Sequence, residues 1–138
     1  LEAGCRFGMR GHDPEPGPKV MDRLLKILVV EDDPQVAAEM CERLEGLGYE
    51  PLGPAATIDD AICIIARTAP DAAVLDGNLA GRSSVPLAVK LAAHATPVVF
   101  CTGADFIKNL PPELAKAPLL TKPISNAMLV AALKSVLT

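Results

Sequence analysis

The sequence predicts an α/β fold built on a parallel β-sheet. From Lys26 onward, apolar runs of strand length alternate with segments of helical periodicity, and this alternation is typical of a parallel sheet covered by helices. The runs are continuously apolar rather than alternating, as Ile27, Leu28, Val29 and Val30 illustrate. Strands that are buried on both faces have this composition. The pattern therefore indicates an open sheet with helices on both sides.

Five strands are predicted, at residues 27–30, 49–55, 72–75, 97–101 and 119–121. Helices follow the first two. Asp33 is a predicted N-cap, because proline follows it at the first helical position, and Gly48 ends this helix. Thr57 begins the second helix in a capping-box pattern. The apolar positions expected to form the inward side of this second helix are Ala61, Ile62, Ile65 and Ala66.

The second half of the chain has two regular helices with an interrupted one between them. The first is predicted from about residue 86 to residue 94, before strand 4. After strand 4, Pro111 and Pro112 remove two backbone donors and clash with the preceding turn, so the fourth helix is expected to be short or broken. Ser125 is the predicted N-cap of the last helix. Its apolar face consists of Leu129, Ala132, Leu133 and Val136.

Composition and charge exclude several classes of protein. The 138 residues carry a net charge of −4 and only 3% aromatic side chains, which argues against direct binding to nucleic acid. No apolar run approaches the ~18 residues of a membrane span, and no signal peptide precedes the first strand. The expected location is the cytoplasm, without membrane insertion. The cysteines lack metal-site spacing and are expected to be free thiols in the core; they are Cys5, Cys41, Cys63 and Cys101.

Residues 1–23 are predicted to form a flexible N-terminal extension, and residues 24–138 the folded domain. The extension is rich in glycine and proline and has no periodicity. Because the chain begins with Leu1, and Met21 lies just before the first strand, part of the extension can be a vector-derived addition or an upstream reading of the start codon. The functional residues are therefore expected in the folded domain.

Polar side chains collect at the carboxyl ends of four predicted strands, where open parallel sheets bind ligands. They are Glu31, Asp32 and Asp33 after strand 1, Asp76 and Asn78 after strand 3, Thr102 after strand 4, and Lys122 after strand 5. Each alone has an ordinary structural explanation, such as a helix cap or a solvated lysine. Together they suit one reaction.

The acids Glu31, Asp32 and Asp76 are expected to lie within about 5 Å, where each pair repels by about 3 kcal/mol at an effective dielectric constant near 20. A Mg²⁺ ion would compensate, because it takes oxygen ligands and keeps several waters. Lys122 can neutralise a phosphoryl group, and the Thr102 hydroxyl can hydrogen-bond to it. The chemistry indicated is phosphoryl transfer to a carboxylate. Asp76 is the best nucleophile, because it directly ends a buried strand and begins a glycine-containing loop.

Four segments resemble the motifs of the receiver domain of two-component response regulators. They lie at residues 28–34, 74–79, 98–103 and 120–123, and the resemblance covers about residues 25–138. It implies a flavodoxin-like (βα)5 doubly wound sheet of strand order 2-1-3-4-5. It also implies a signalling protein rather than an enzyme, with a sensor histidine kinase or phosphotransfer protein as phosphodonor and an unidentified protein as downstream partner.

The resemblance also assigns roles to the site residues. Asp76 is then the phosphoacceptor, Thr102 the switch hydroxyl and Lys122 the residue that holds the phosphoryl group. The implied Mg²⁺ ligands are Asp32, Asp76, the backbone carbonyl of Asn78 and, indirectly, Glu31. A cis peptide bond is implied between Lys122 and Pro123. Because no residue follows the last helix, the domain is expected to stand alone and to pass its signal by protein contact.

One position departs from the usual receiver pattern. Leu119 occupies the place in strand 5 where receivers usually have Tyr or Phe, so the usual threonine–aromatic switch is not expected. The response to phosphorylation is instead expected in residues 103–118. Residues 100–103 and the interrupted fourth helix are similar to a subfamily of stand-alone alphaproteobacterial receivers with a Phe-Ala-Thr-Gly segment, which also lack this aromatic residue.

Other classes of protein fit the sequence less well. A haloacid-dehalogenase-type phosphoaspartyl hydrolase also uses a strand-end aspartate with Mg²⁺, but it needs a second acid where Asn78 stands. A nucleotide-binding module is disfavoured by the carboxylates after the first strand. A degenerate receiver would act as a phosphorylation-independent interaction module. The residues that argue against it are Asp76, Asp32, Thr102 and Lys122.

Overall fold

The centre of the fold is a five-stranded parallel sheet. The structure, a computed structural model, describes residues 19, 20, 23–79, 81–103, 107 and 110–137. The strands are β1 (Lys26–Val30), β2 (Glu50–Ala55), β3 (Ala72–Asp76), β4 (Val98–Thr102) and β5 (Leu119–Thr121). They lie in the order β2-β1-β3-β4-β5, and each neighbouring pair is parallel. The flavodoxin-like sheet of order 2-1-3-4-5 is therefore confirmed.

Four α-helices cover this sheet in the described part of the chain. They are α1 (Pro34–Gly46), α2 (Ile58–Arg67), α3 (Val85–Ala93) and α4 (Asn126–Leu137). Between β4 and β5, the described residues include one helical element, the 3-10 turn Pro112–Leu114. The prediction of a short or broken helix here is thus confirmed. Residues 104–106, 108 and 109 lie outside the described residues, so the expected rearrangement of residues 103–118 stays a prediction.

Side-chain caps begin three of the helices. The Asp33 carboxylate accepts hydrogen bonds from two backbone N–H groups of the first turn of α1, at 2.9 and 3.2 Å. The hydroxyl of Thr57 accepts one in α2 at 3.0 Å, and that of Ser125 accepts one in α4 at 3.1 Å. Such caps satisfy N–H groups that have no partner within the helix. The three predicted N-caps are therefore confirmed.

Two apolar cores lie on opposite faces of the sheet, because successive side chains of a strand point in opposite directions. Ile27 and Val29 of β1 belong to the core covered by α1 and α4. Leu28 and Val30 belong to the core covered by α2 and α3. All four side chains are at most 1% exposed. Burial on both faces explains why this strand is apolar at every position.

The inward side of α2 differs from the sequence prediction. Ile62 is 38% exposed and Ala66 is also exposed, although both were expected to face the core. The inward side is formed by Ile58, Ala61, Ile64 and Ile65. Since each residue turns a helix by about 100°, a position one residue after the fully buried Ala61 points toward solvent.

The cysteines are not all in the core. Cys101 is buried and Cys41 is half-buried, but Cys63 is exposed, so the prediction is wrong at that position. The reason is the same helical phase, because Cys63 lies on the outer side of α2 beside Ile62. Cys5 lies outside the described residues.

Most of the predicted N-terminal extension, including residues 1–18, also lies outside the described residues. Where it joins the predicted folded domain, Lys19–Val20 and Arg23–Leu24 pair as a short antiparallel ladder. Among the helices that the structure describes, none has the length and apolar composition needed to cross a membrane.

Candidate functional site

The predicted acids meet where β1 and β3 end side by side. Glu31 and Asp32 follow β1, and Asp76 is the last residue of β3. One carboxylate oxygen from each of the three lies within 4.8 Å of the others. Glu31 is 8% exposed, and the other two acids are half-buried. The structure therefore brings these acids as close together as the sequence predicts.

A bulge in β2 helps to place Glu31. The pairing of β1 with β2 shifts register near its carboxyl end, and Gly53 has a φ of +100° there, a conformation that glycine adopts readily. After the bulge, the Ala55 carbonyl accepts a hydrogen bond from the Glu31 N–H at 2.9 Å. Ala55 was not among the predicted site residues. The sequence signal that indicates it is the Gly53-Pro54 step inside a strand.

Electrostatic forces on Glu31 oppose one another. Burial raises the pKa of Glu31, and the negative charge of Asp76 adds to the rise. The Asp33 N–H donates to Glu31 Oε2 at 3.2 Å, and Lys122 Nζ donates to Oε1 at 3.2 Å. Both hydrogen bonds lower the pKa, but the net direction is upward. The fold thus keeps the Glu31 carboxyl group at this position although desolvation and charge repulsion both disfavour its ionised form.

Lys122 is a counter-charge to the acids. Its Nζ lies 3.2 Å from Glu31 Oε1 and 3.6 Å from Asp76 Oδ2. Desolvation lowers the pKa of Lys122, but the hydrogen bond to Glu31 and the charge of Asp76 outweigh it, so the pKa is raised. The Lys122 N–H donates to the Thr102 carbonyl at 2.8 Å. The peptide bond to Pro123 is cis, which confirms that expectation.

The chain after β3 folds back on Asp76. The Asn78 N–H donates to Asp76 Oδ1 at 3.2 Å, and Asn78 Oδ1 accepts from the Gly81 N–H at 2.7 Å. Gly77 faces Thr102, since a Cβ on this glycine would lie 3.5 Å from Thr102 Oγ1. Thr102 is 7% exposed at the end of β4. Its hydroxyl therefore lies close to the backbone that follows Asp76.

The donor set of this site fits a hard divalent cation. Mg²⁺ binds oxygen at about 2.0–2.1 Å in an octahedron, so two ligand oxygens lie about 3 Å apart when adjacent and about 4 Å apart when opposite. The oxygens of Glu31, Asp32 and Asp76 lie within 4.8 Å, so two can bind one ion directly and the third through a water. Lys122 supplies a single positive charge against three carboxylates. The residues present therefore fit Mg²⁺.

The segment that carries Lys122 begins near Leu119 and continues into two residues that Arg43 contacts. Leu119 of β5 is half-buried and packs against the core covered by α2 and α3. On the other side, Arg43 of α1 donates a hydrogen bond to Asn126 Oδ1 at 2.7 Å and another to the Ile124 carbonyl. Arg43 was not predicted to be near the site. No local pattern indicates it, because it lies 83 positions from Asn126 in the chain.

Comparisons with known proteins agree with this geometry. The family model described as the response regulator receiver domain matches residues 27–134. The phyllosphere-induced regulator PhyR of Methylorubrum extorquens is 32% identical over 121 residues, which are 84% of this chain and 45% of that protein. The positive alginate biosynthesis regulatory protein of Pseudomonas aeruginosa is 31% identical over 115 residues, or 80% and 46% of the two chains. The chain thus spans about half the length of these curated relatives.

Among solved structures, the solution structure of SdrG from Sphingomonas melonis Fr1 is similar to this chain. The TM-score is 0.70 at 35% sequence identity, and the match covers 83% of this chain and 98% of SdrG. The segment that contains the site therefore shares its fold with almost the whole of the SdrG chain.

Proposed function

Because the chain belongs to the response regulator receiver domain family, we propose that it accepts a phosphoryl group on Asp76 and passes a signal on by protein contact. Membership confirms the resemblance of the four motifs, and the narrower alphaproteobacterial resemblance is consistent with the PhyR and SdrG matches. Receiver domains are two-component signalling modules rather than enzymes. This excludes the hydrolase alternative.

One observation carries the proposal. Three strand-end acids have oxygens within 4.8 Å of one another, and Lys122 Nζ lies 3.6 Å from Asp76 Oδ2. This arrangement brings three carboxylates and one positive charge around one point, which supports the roles proposed for them as nucleophile, cation ligands and phosphoryl-binding group. Catalysis of phosphoryl transfer depends chiefly on such positioning and charge neutralisation.

The proposed transfer is a substitution at phosphorus. A carboxylate oxygen of Asp76 forms a new bond to phosphorus, while the bond between phosphorus and the leaving atom of the donor breaks. The leaving group keeps that electron pair. The leaving atom is an imidazole nitrogen for a phosphohistidine donor and an acetate oxygen for acetyl phosphate. Lys122 binds the phosphoryl oxygens during and after the transfer.

We assign Mg²⁺ binding to Asp32, Asp76 and the backbone carbonyl of Asn78, with Glu31 acting through a water. Mg²⁺, when bound, neutralises negative charge on the acids and on the phosphoryl oxygens. We also propose that the Thr102 hydroxyl hydrogen-bonds to the phosphoryl group and reports its presence. The support for this role is the closeness of Thr102 Oγ1 to Gly77, the residue after Asp76.

The proposed phosphodonor partner is a sensor histidine kinase or a phosphotransfer protein, and the proposed output partner is another protein. The net charge of −4 and the 3% aromatic content support a protein rather than a nucleic acid as the binding partner. The proposed functional unit is residues 24–138, acting in the cytoplasm.

Labelling by acetyl phosphate in the presence of Mg²⁺, followed by peptide mass spectrometry, tests the proposal. We expect one added phosphoryl group on the peptide that contains Asp76, and none when EDTA replaces Mg²⁺. Asp76→Asn keeps the shape of the side chain but removes the nucleophile, so it should not be labelled. Asp59→Asn, which alters an exposed acid of α2, is the matched control and should be labelled like the parent.

Two results would refute the proposal. Stable labelling of Asp76→Asn at another residue would show that the phosphoacceptor is misassigned. A folded parent protein that no phosphodonor labels would favour the alternative of a phosphorylation-independent interaction module.

A further inference from the structure

Arg43 ties the chain after Lys122 to helix α1. Its Nε donates to Oδ1 of Asn126, the first residue of α4, at 2.7 Å, and its Nη2 donates to the Ile124 carbonyl at 2.5 Å. The two acceptors lie within four residues of Lys122. Because two nitrogens of one planar guanidinium make these bonds, they restrict both the position and the direction of the segment.

The backbone at Lys122 is held from two sides. On one side, its N–H donates to the Thr102 carbonyl of β4 at 2.8 Å. On the other side, Ile124 is partly buried against the core covered by α1 and α4, and its carbonyl is the acceptor for Arg43. Pro123 between them has no N–H group to donate. The contact with α1 therefore fixes the segment beyond this proline.

We infer that Arg43 is a positioning residue for the phosphoryl-binding Lys122, which it keeps over the acids by holding Ile124 and Asn126. The inference rests on the function proposed above for Lys122. A lysine ammonium lies at the end of a flexible four-carbon chain, so its average position depends on how well its backbone is held. The acids lie at the ends of β1 and β3, and neither of the two Arg43 hydrogen bonds is made to these strands.

The inference therefore predicts that replacing Arg43 affects two ligands of the same site, a phosphoryl group and Mg²⁺, to different extents. When Arg43 is replaced, the Lys122 ammonium keeps its contacts with Glu31 and Asp76, but the backbone that carries it is held less firmly, so binding of a phosphoryl group should weaken. Mg²⁺ binding should stay nearly the same, because its ligands do not move. A clamp that only stabilised the fold would lower the melting temperature and leave both affinities of the folded protein unchanged.

The test uses Arg43→Met, which keeps the length of the side chain but removes its donors. Beryllofluoride, a mimic of a phosphoryl group, is titrated in saturating Mg²⁺, and Mg²⁺ alone is titrated by calorimetry. We expect beryllofluoride affinity to fall about tenfold, as for other residues that orient a ligand-binding group, and Mg²⁺ affinity to change less than about twofold. Arg67→Met, in the last turn of α2, is the matched control and should bind both like the parent.

A double-mutant cycle with Lys122→Met shows whether Arg43 acts through the lysine. If it does, Arg43→Met should cause no further loss of beryllofluoride affinity in the Lys122→Met protein. Losses that add would overturn the inference, and so would an unchanged beryllofluoride affinity in folded Arg43→Met. If Lys122→Met itself binds beryllofluoride like the parent, the function proposed for Lys122 is wrong, and the role of Arg43 is wrong with it.

A second variant covers the case in which Arg43→Met does not fold. Asn126→Ala removes one of the two acceptors and leaves the Ile124 carbonyl to Arg43. We expect a smaller loss of beryllofluoride affinity with unchanged Mg²⁺ affinity. Parental affinity for beryllofluoride in this variant would then overturn the inference.

Discussion

Replacement of Asp32 by asparagine should change stability in opposite directions with and without Mg²⁺. The Asp32, Glu31 and Asp76 oxygens lie within 4.8 Å. At an effective dielectric constant near 20, one pair of charges at that distance repels by about 3.5 kcal/mol. Asp32 is only half-buried, so solvent screening should leave about 1 kcal/mol of relief when its charge is removed. Without metal, Asp32→Asn should therefore melt about 3–5 °C above the parent.

With Mg²⁺ the order should reverse. A ligand present at 100 times its Kd stabilises the native state by about 2.7 kcal/mol. If loss of the Asp32 carboxylate weakens Mg²⁺ binding about 100-fold, the variant gains only about 0.4 kcal/mol at the same concentration. The parent should then be more stable by about 1 kcal/mol, after the relief of repulsion is subtracted.

Thermal and urea unfolding followed by circular dichroism, in EDTA and in Mg²⁺, measures both values. Asp33→Asn is the control, because the neighbouring acid is exposed and asparagine caps a helix about as well as aspartate. It should show the parental response to Mg²⁺. The reasoning is refuted if Asp32→Asn is less stable than the parent in EDTA, or if Mg²⁺ stabilises the two proteins equally.

Two further predictions concern charge and pH. Lys122→Met should lower the free energy of unfolding by about 1–3 kcal/mol at pH 7, after screening of this partly exposed pair, because it leaves Glu31 without its cation. Lys134→Met, at an exposed position of α4, should not; urea unfolding of both variants checks this, and equal stabilities would contradict it. The effect should vanish as the pH rises past the raised pKa of Lys122, where the parent lysine also becomes neutral. Burial raises the pKa of the Cys101 thiol to about 12, so its stabilising effect is complete below pH 9 and is lost as the pH rises toward 12. Between pH 9 and pH 11 the parent should lose about 2–3 kcal/mol more than Cys101→Ala, and parallel pH profiles from urea unfolding would show that this thiol does not titrate as inferred.

The bounds of the main helices and strands could be predicted because their signals are local. Asp33, Thr57 and Ser125 cap helices through hydrogen bonds that span three residues or fewer. The strands are continuously apolar because both of their faces are buried, and this composition is visible in the sequence. The members of the candidate site followed from the same rule, because all parallel strands deliver their carboxyl ends to one edge. This is why the sequence predicts that Asp76 and Lys122 lie close together, as they do at 3.6 Å.

The phase of α2 and the bulge in β2 were decided by packing. Ile62 and Ile65 are equally apolar in the sequence, and only the position of the helix over the sheet turns Ile62 outward. Gly53 indicates a bulge, but the bond from the Glu31 N–H to the Ala55 carbonyl depends on the register between two strands. Register is a property of a pair of strands, so neither strand specifies it alone.

The sequence by itself determined which residues form the acid cluster and its lysine, because their spacing along the chain follows the strands that carry them. Tertiary structure alone decided how the lysine is held. Arg43 contacts Ile124 and Asn126 across more than 80 positions of sequence. Its place in the sequence of α1 does not distinguish it from an arginine that only contacts solvent. Such contacts arise only when helices from both ends of the chain pack on the same face of one sheet, because side chains that are distant in sequence then come within hydrogen-bonding distance.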